Sequence, residues 1–227
     1  MSQSPRTALP AGRAEATLTE IFPAAGAEAA ATGFVVAQLG QGTAPVLWIQ
    51  DRGAQRETGH LCLAGLGLRR PLMTMQLSRP VDVMIAIEEG LRCKALAAVV
   101  AEIRGDPPAV NFTAMRRLAM RVKATNVPCW LIRQAATAGL SAARDRWRIA
   151  TLPSASDPDD RRAPGDPRWQ VELFRSPSGQ TGTWVAHYDR RTGREAGGAA
   201  DRLDLVAAIP DGTLAEDAGT LGQRAGR

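Results

Sequence analysis

The chain has 227 residues and a mass of 24.1 kDa, with 44% hydrophobic and 22% charged residues, enough for one packed core without disulfide or metal support. Its net charge is +5, and of its 28 basic residues only Lys94 and Lys123 are lysine, so the excess is almost all arginine, suited to two-point contacts with phosphate or carboxylate. Wholesale disorder is excluded, no apolar run approaches the ~20 residues of a membrane span, and the N-terminal stretch lacks the apolar core of a secretory signal.

Residues 1–12 read as a polar arm. Thr17–Phe22 alternates apolar and polar side chains, as a strand does, and Pro23–Thr32 reads as a turn running into an alanine-rich helix that ends near Leu39. Val46–Gln50 is continuously apolar, the pattern of a buried parallel strand. Arg52–Thr58 reads as a polar loop, His60–Leu68 as a short helix ending at Gly65 or Gly67, and Leu72–Leu77 as a third strand. Pro80–Arg92 is a helix with proline in its first turn and Val83, Ile87 and Leu91 on one face, flawed only by Gly90. Leu96–Ile103 is a fourth strand. Thr113–Ala124 is a basic amphipathic helix, and Val127–Ile132 a fifth strand. The alternation predicts an α/β core with a mostly parallel sheet flanked by helices over residues 13–152. A Ser/Asp/Pro-rich linker follows at 153–167, then two alternating strands that predict an antiparallel hairpin at 168–190 completing the core. Residues 191–227 read as a mostly disordered acidic tail in which only Leu203–Ile209 looks able to dock.

The charge is unevenly placed. Residues 111–150 hold eight basic groups and one acid, Asp145, whereas from Glu195 onward there are six acids and three bases. Arg144, Arg146 and Arg148 alternate with Asp145 and Trp147, which predicts the three arginines on one strand face with Arg133 nearby: either a phosphate-facing strip or a solvated face. Gln170, Leu173 and Phe174 have the spacing of a sliding-clamp peptide, but the segment also reads as a strand already paired in the hairpin. His60 and Cys62 could serve as two ligands or as a base and a nucleophile, yet no third group lies near them in sequence, so a helix-face histidine and a buried thiol are the simpler reading. The three cysteines form no C-x-x-C pair and fit a reducing cytosol.

The turn at Pro23–Ala31 sits where an α/β nucleotide fold places its phosphate loop. Such a loop needs inward-turned amides, a lysine and a hydroxyl. This one has a single glycine, Gly26, no lysine precedes Lys94, and Glu28 stands where a cation is wanted. Glu28 is read either as an anion supplied by the chain to the helix N-terminus or as a simple first-turn glutamate. Ala101 falls where a magnesium-holding aspartate is expected, with Glu102 one step on and turned to the other face. The second strand ends in Gln50-Asp51-Arg52 without a clear general base. No catalysis, nucleotide cofactor or metal is expected.

The segments LTEIFPAAGAEAAATGF (18–34), APVLWIQ (44–50), AIEEGLRCKALAAVVAEI (86–103), SAARDRWRIATLPSA (141–155) and PRWQVELFRSPSGQTGTWVAHYD (167–189), in this order, resemble the ImuA family, RecA-related accessory proteins of damage-induced mutagenesis. The resemblance implies a RecA-like fold and a non-catalytic part in the SOS-induced mutasome with ImuB and an error-prone C-family DNA polymerase. It implies a cytoplasmic protein, nucleoid-associated during DNA damage, with RecA and single-stranded DNA as further candidate contacts. Leu203, Leu205 and Ile209 are then candidates for holding ImuB, and Arg133, Arg144, Arg146 and Arg148 for holding DNA. The likeness to RecA itself is weaker. The segments 104–111 and 134–143 are shorter than RecA's DNA-gripping loops, and its polymerising helix has no counterpart before Leu9, so filament formation is not expected. A SulA-like inhibitor of the division protein FtsZ, another RecA-like fold without an ATP site, is the alternative.

Overall fold

A computed structural model describes residues 15–189, apart from 27, 69, 161 and 178–180, and the strand at 203–207. Its elements in chain order are β1 (Leu18–Pro23), α1 (Ala30–Leu39), β2 (Val46–Asp51), α2 (Arg52–Thr58), α3 (Leu63–Leu66), β3 (Leu72–Leu77), α4 (Pro80–Gly90), β4 (Ala98–Arg104), α5 (Phe112–Thr125), β5 (Cys129–Gln134), β6 (Asp145–Leu152), β7 (Arg168–Arg175), β8 (Gly182–Tyr188) and β9 (Leu203–Ala207). They form one sheet in the order β3-β2-β4-β5-β1-β6-β7-β8-β9. Strands β3 through β6 in that order are parallel, and β6, β7, β8 and β9 pair antiparallel. This is the expected RecA-like α/β architecture: a mostly parallel sheet with flanking helices and a C-terminal antiparallel hairpin.

The continuous apolar runs are explained by position. β2, β4 and β5 lie inside the sheet and are covered on both faces, so residues of both parities are buried. Along β4, Ala98 and Val100 enter one core layer with Phe34 and Val35 of α1, while Val99, Ala101 and Ile103 enter the other with Val83 and Ile87 of α4 and Leu118 of α5. Gly90, an apparent flaw in α4, is where that helix closes on the sheet. A Cβ there would come within 2.7 Å of Leu47 Cδ2.

One expectation is corrected. Arg52–Thr58 is a helix and not a loop. Its apolar periodicity is too sparse to read, since Ala54 is its single buried residue, and it is set up instead by Asp51, whose side chain accepts from the Ala54 amide at 2.7 Å. Leu203–Ala207 forms β9 at the edge of the sheet, with Tyr188 opposite Leu203 and Ala186 opposite Leu205. Ile209 lies outside the described residues.

Candidate functional site

The parallel strands end together at one pole, where open α/β sheets bind their ligands. β1 ends there at Pro23, and α1 begins at Ala30 with Ala29 as a cap that offers no side-chain hydrogen bond. Gly26 is not required by any close approach, because a Cβ there would meet nothing within 4 Å. Glu28 precedes the helix, and α1 has no acidic residue in its first turn. Glu28 Oε2 is buried without a hydrogen-bond partner among the described residues, so Glu28 is neither a first-turn residue nor a cap for the α1 amides through that oxygen.

On β4 the alternation runs as read. Ala101 is fully buried in the α4/α5 layer, while Glu102 turns to the face that α1 covers, with 1% exposure. It is committed there to the neighbouring strand, accepting from Trp48 Nε1 at 2.6 Å. Burial pushes the Glu102 carboxyl above its ordinary range, with the nearby Asp51 charge adding to the rise. The Trp48 indole, the Gln50 amide and the Thr58 hydroxyl oppose it. Asp51 is equally committed: one oxygen caps α2, and the other accepts from the Arg104 amide at 2.7 Å. A carboxylate with both oxygens engaged by backbone amides is a poor base for water.

The opposite face of the same pole carries a buried ion network. Glu20, in the middle of β1, is completely buried between β5 and β6. Arg133 Nη1 approaches its Oε1 at 3.1 Å, and Arg146 Nε its Oε2 at 2.8 Å. Arg133 Nη2 also donates to Asp106 Oδ1 at 2.7 Å and to the Gly105 carbonyl, while Asp106 Oδ2 accepts from the Thr137 amide at 2.9 Å. Two arginines therefore face two carboxylates, and the segments after β4 and β5 are joined across this network. The Arg146 guanidinium lies 5.2 Å from the ring centres of both Phe22 and Phe174, and Arg148 lies 5.1 Å from Phe174. Burial pulls the Arg146 guanidinium down from its ordinary value, and the Glu20 charge and hydrogen bond oppose that pull.

No family model matches the chain. Two curated relatives, each named Protein ImuA and belonging to two strains of Caulobacter vibrioides, are 30% identical to it over 192 residues, covering 80% of this chain and 72% of each relative. The chain belongs to the ImuA family. In this ImuA-family chain the four arginines read as a phosphate-facing strip do not act alike. Arg133 and Arg146 are 6% and 5% exposed and turned into the Glu20 network, so their guanidiniums present little surface to a phosphate. Arg148 is exposed and paired with Glu172, and Arg144 is exposed at 3.9 Å from Glu15. Trp147 is on the opposite face, in the core, as the alternation requires.

The sequence reading missed Glu20 as a centre of this network. The signal was a carboxylate in a strand that the topology puts between two other strands. The clamp-like segment is paired on both sides, with β6 and β8, and Leu173 is buried at 2% exposure, so it is not a free extended peptide. His60 Nδ1 sits by the side-chain amides of Gln55 and Gln76. Cys62 is exposed rather than buried as expected, because it lies just outside the short α3, which has no buried residue. Among the described residues no group of three or more His, Cys, Asp or Glu could hold a metal ion, and no helix is long and apolar enough to cross a membrane.

Proposed function

We propose that this ImuA-family protein is a non-catalytic RecA-like accessory factor of the SOS-induced mutasome, acting in translesion synthesis with ImuB and an error-prone C-family DNA polymerase. Membership of the family supports the role in SOS mutagenesis. The observation that carries the non-catalytic reading is the inventory of the strand-end pole. Where a triphosphate would need a lysine and a free carboxylate for magnesium, there are Glu28, a Glu102 bound to Trp48, and an Asp51 with both oxygens engaged. Carboxylates beside a triphosphate repel it, and a raised Glu102 is a weak magnesium ligand. On this reading the fold serves by position, holding partners in the cytoplasm and at the damaged nucleoid without consuming nucleotide.

The test has two arms. The purified chain is expected to show neither magnesium-dependent ATP hydrolysis nor saturable ATP binding by calorimetry. Turnover that disappears in Glu102→Ala would refute the non-catalytic reading. Capture from damage-induced cells is expected to bring down ImuB and the polymerase, and recovery of FtsZ in their place would move the protein to division control.

A further inference from the structure

The pole opposite the strand ends carries a groove of about 490 Å³ between α5 and the segment leading into β1. Its walls include Glu15, Leu18, Arg116, Met120, Lys123 and Arg144. Arg117 and Arg121, elsewhere on α5, both reach Glu88 of α4 at 3.6 Å. Arg116 and Lys123 belong to no ion pair among the described residues, and seven positions apart they share one helix face with Met120, which is 64% exposed between them. Arg144 has Glu15 at 3.9 Å, a solvent-exposed pairing of small worth. The groove is thus a cationic rim around an exposed apolar side chain, complementary to an apolar residue flanked by carboxylates.

The sheet order brings such a segment to it. β6 runs parallel to β1, and three successive antiparallel pairings follow, so β9 runs opposite to β1 and ends with Ala207 at the pole where β1 begins. Four strand spacings separate β9 from β1, about 19 Å at roughly 4.8 Å each. From Ala207 to Glu216 an extended chain spans about 30 Å, enough to cross that distance and climb to the helix layer. Residues 208–221 carry Asp211, Glu216 and Asp217 and no basic residue, with Leu214 and Leu221 among them. We propose that residues 211–221 dock in this groove within the same molecule, Leu214 against Met120 and Glu216 and Asp217 against Arg116 and Lys123. The segment then competes with any anionic partner for the exposed cations of α5.

The chain's lysines are Lys94 and Lys123, which makes zero-length carbodiimide cross-linking of the full chain, read by peptide mass spectrometry, a direct test. The expected product is an amide between Lys123 and Glu216 or Asp217 in the monomer band, with a yield independent of protein concentration. It should fall several-fold at roughly 0.5 M salt, where charge attraction is strongly screened. Lys123→Glu should abolish it, and Lys123→Glu combined with Glu216→Lys should restore a link between the exchanged positions. Links from Lys123 to the tail carboxylates confined to a dimer band would show a second copy as the occupant and overturn docking within one molecule. Links from Lys123 only to Glu15 or other carboxylates of the core, while Lys94 reacts normally, would overturn the groove as the tail's site.

Discussion

Glu20 is completely buried, and its charge is tolerable only because Arg133 and Arg146 meet it from the two neighbouring strands. Removing one member of such a network leaves the others buried and unbalanced, which typically costs more than the pairs contribute. Glu20→Gln keeps the size but removes the charge, and should destabilise the fold by about 3–5 kcal/mol in urea denaturation, a large part of a small domain's total. Glu102 is the opposite case, a carboxyl buried beside an indole donor with no cation. Its raised pKa means that the folded chain holds more protons than the unfolded chain at pH values above the ordinary carboxyl value of 4.5, so its contribution to stability falls as pH rises through the window up to the folded value. Glu102→Gln keeps an acceptor for Trp48 Nε1 and removes the titration. Its thermal midpoint should match that of the unmodified chain near about pH 4 and exceed it increasingly toward neutral pH. A constant offset at every pH would show that the gain, if any, is one of packing. Glu102 was singled out in the sequence for the pole it occupies, whereas Glu20 looked like the polar half of an alternating strand. The difference is that burial of a charge depends on which strands flank it, and that order is not written locally.

At the scale of elements, the parallel strands and the two long helices α4 and α5 were legible because each carries its own periodicity or apolar run. α2 was not, because a seven-residue helix with one buried alanine has no face to recognise, and its start is marked only by Asp51. α1 shows a further constraint that composition hides. Its Gly33 lies against the indole of Trp169 on β7, where an added Cβ would come within 2.6 Å of the ring. Alanine is the better helix former by about 1 kcal/mol, but overpacking a rigid ring in a filled core costs about 1–3 kcal/mol. Gly33→Ala should therefore be destabilising by about 1 kcal/mol net in denaturant titrations, and Gly33→Ala combined with Trp169→Phe should recover part of the loss. A stabilised Gly33→Ala would mean that the helix shifts freely on the sheet.

The whole molecule depends on the same joint. α1 packs Phe34 against Trp147 of β6 at a ring separation of 5.4 Å, Trp147 meets Trp184 of β8 at 6.2 Å, and Trp169 stacks with Tyr188 at 5.8 Å. Phe34, Trp147, Trp169 and Tyr188 lie in one core cluster with Trp48 and Val100 of the parallel strands, and Trp184 packs against it, so among the described residues the hairpin and the parallel strands share that layer of the core. Of the five tryptophans, Trp169 and Trp184 report on the antiparallel hairpin, Trp48 and Trp130 on the parallel strands, and Trp147 on β6, which pairs parallel with β1 and antiparallel with β7. If the packing is continuous, unfolding is one cooperative event. Tryptophan fluorescence and far-ultraviolet circular dichroism should then give superimposable transitions in denaturant. Trp169→Ala, which empties the joint between α1 and β7, should shift both together by about 3–5 kcal/mol. Transitions that separate in the unmodified chain, with fluorescence from the hairpin tryptophans lost first, would make the hairpin an accessory layer on a self-sufficient parallel core.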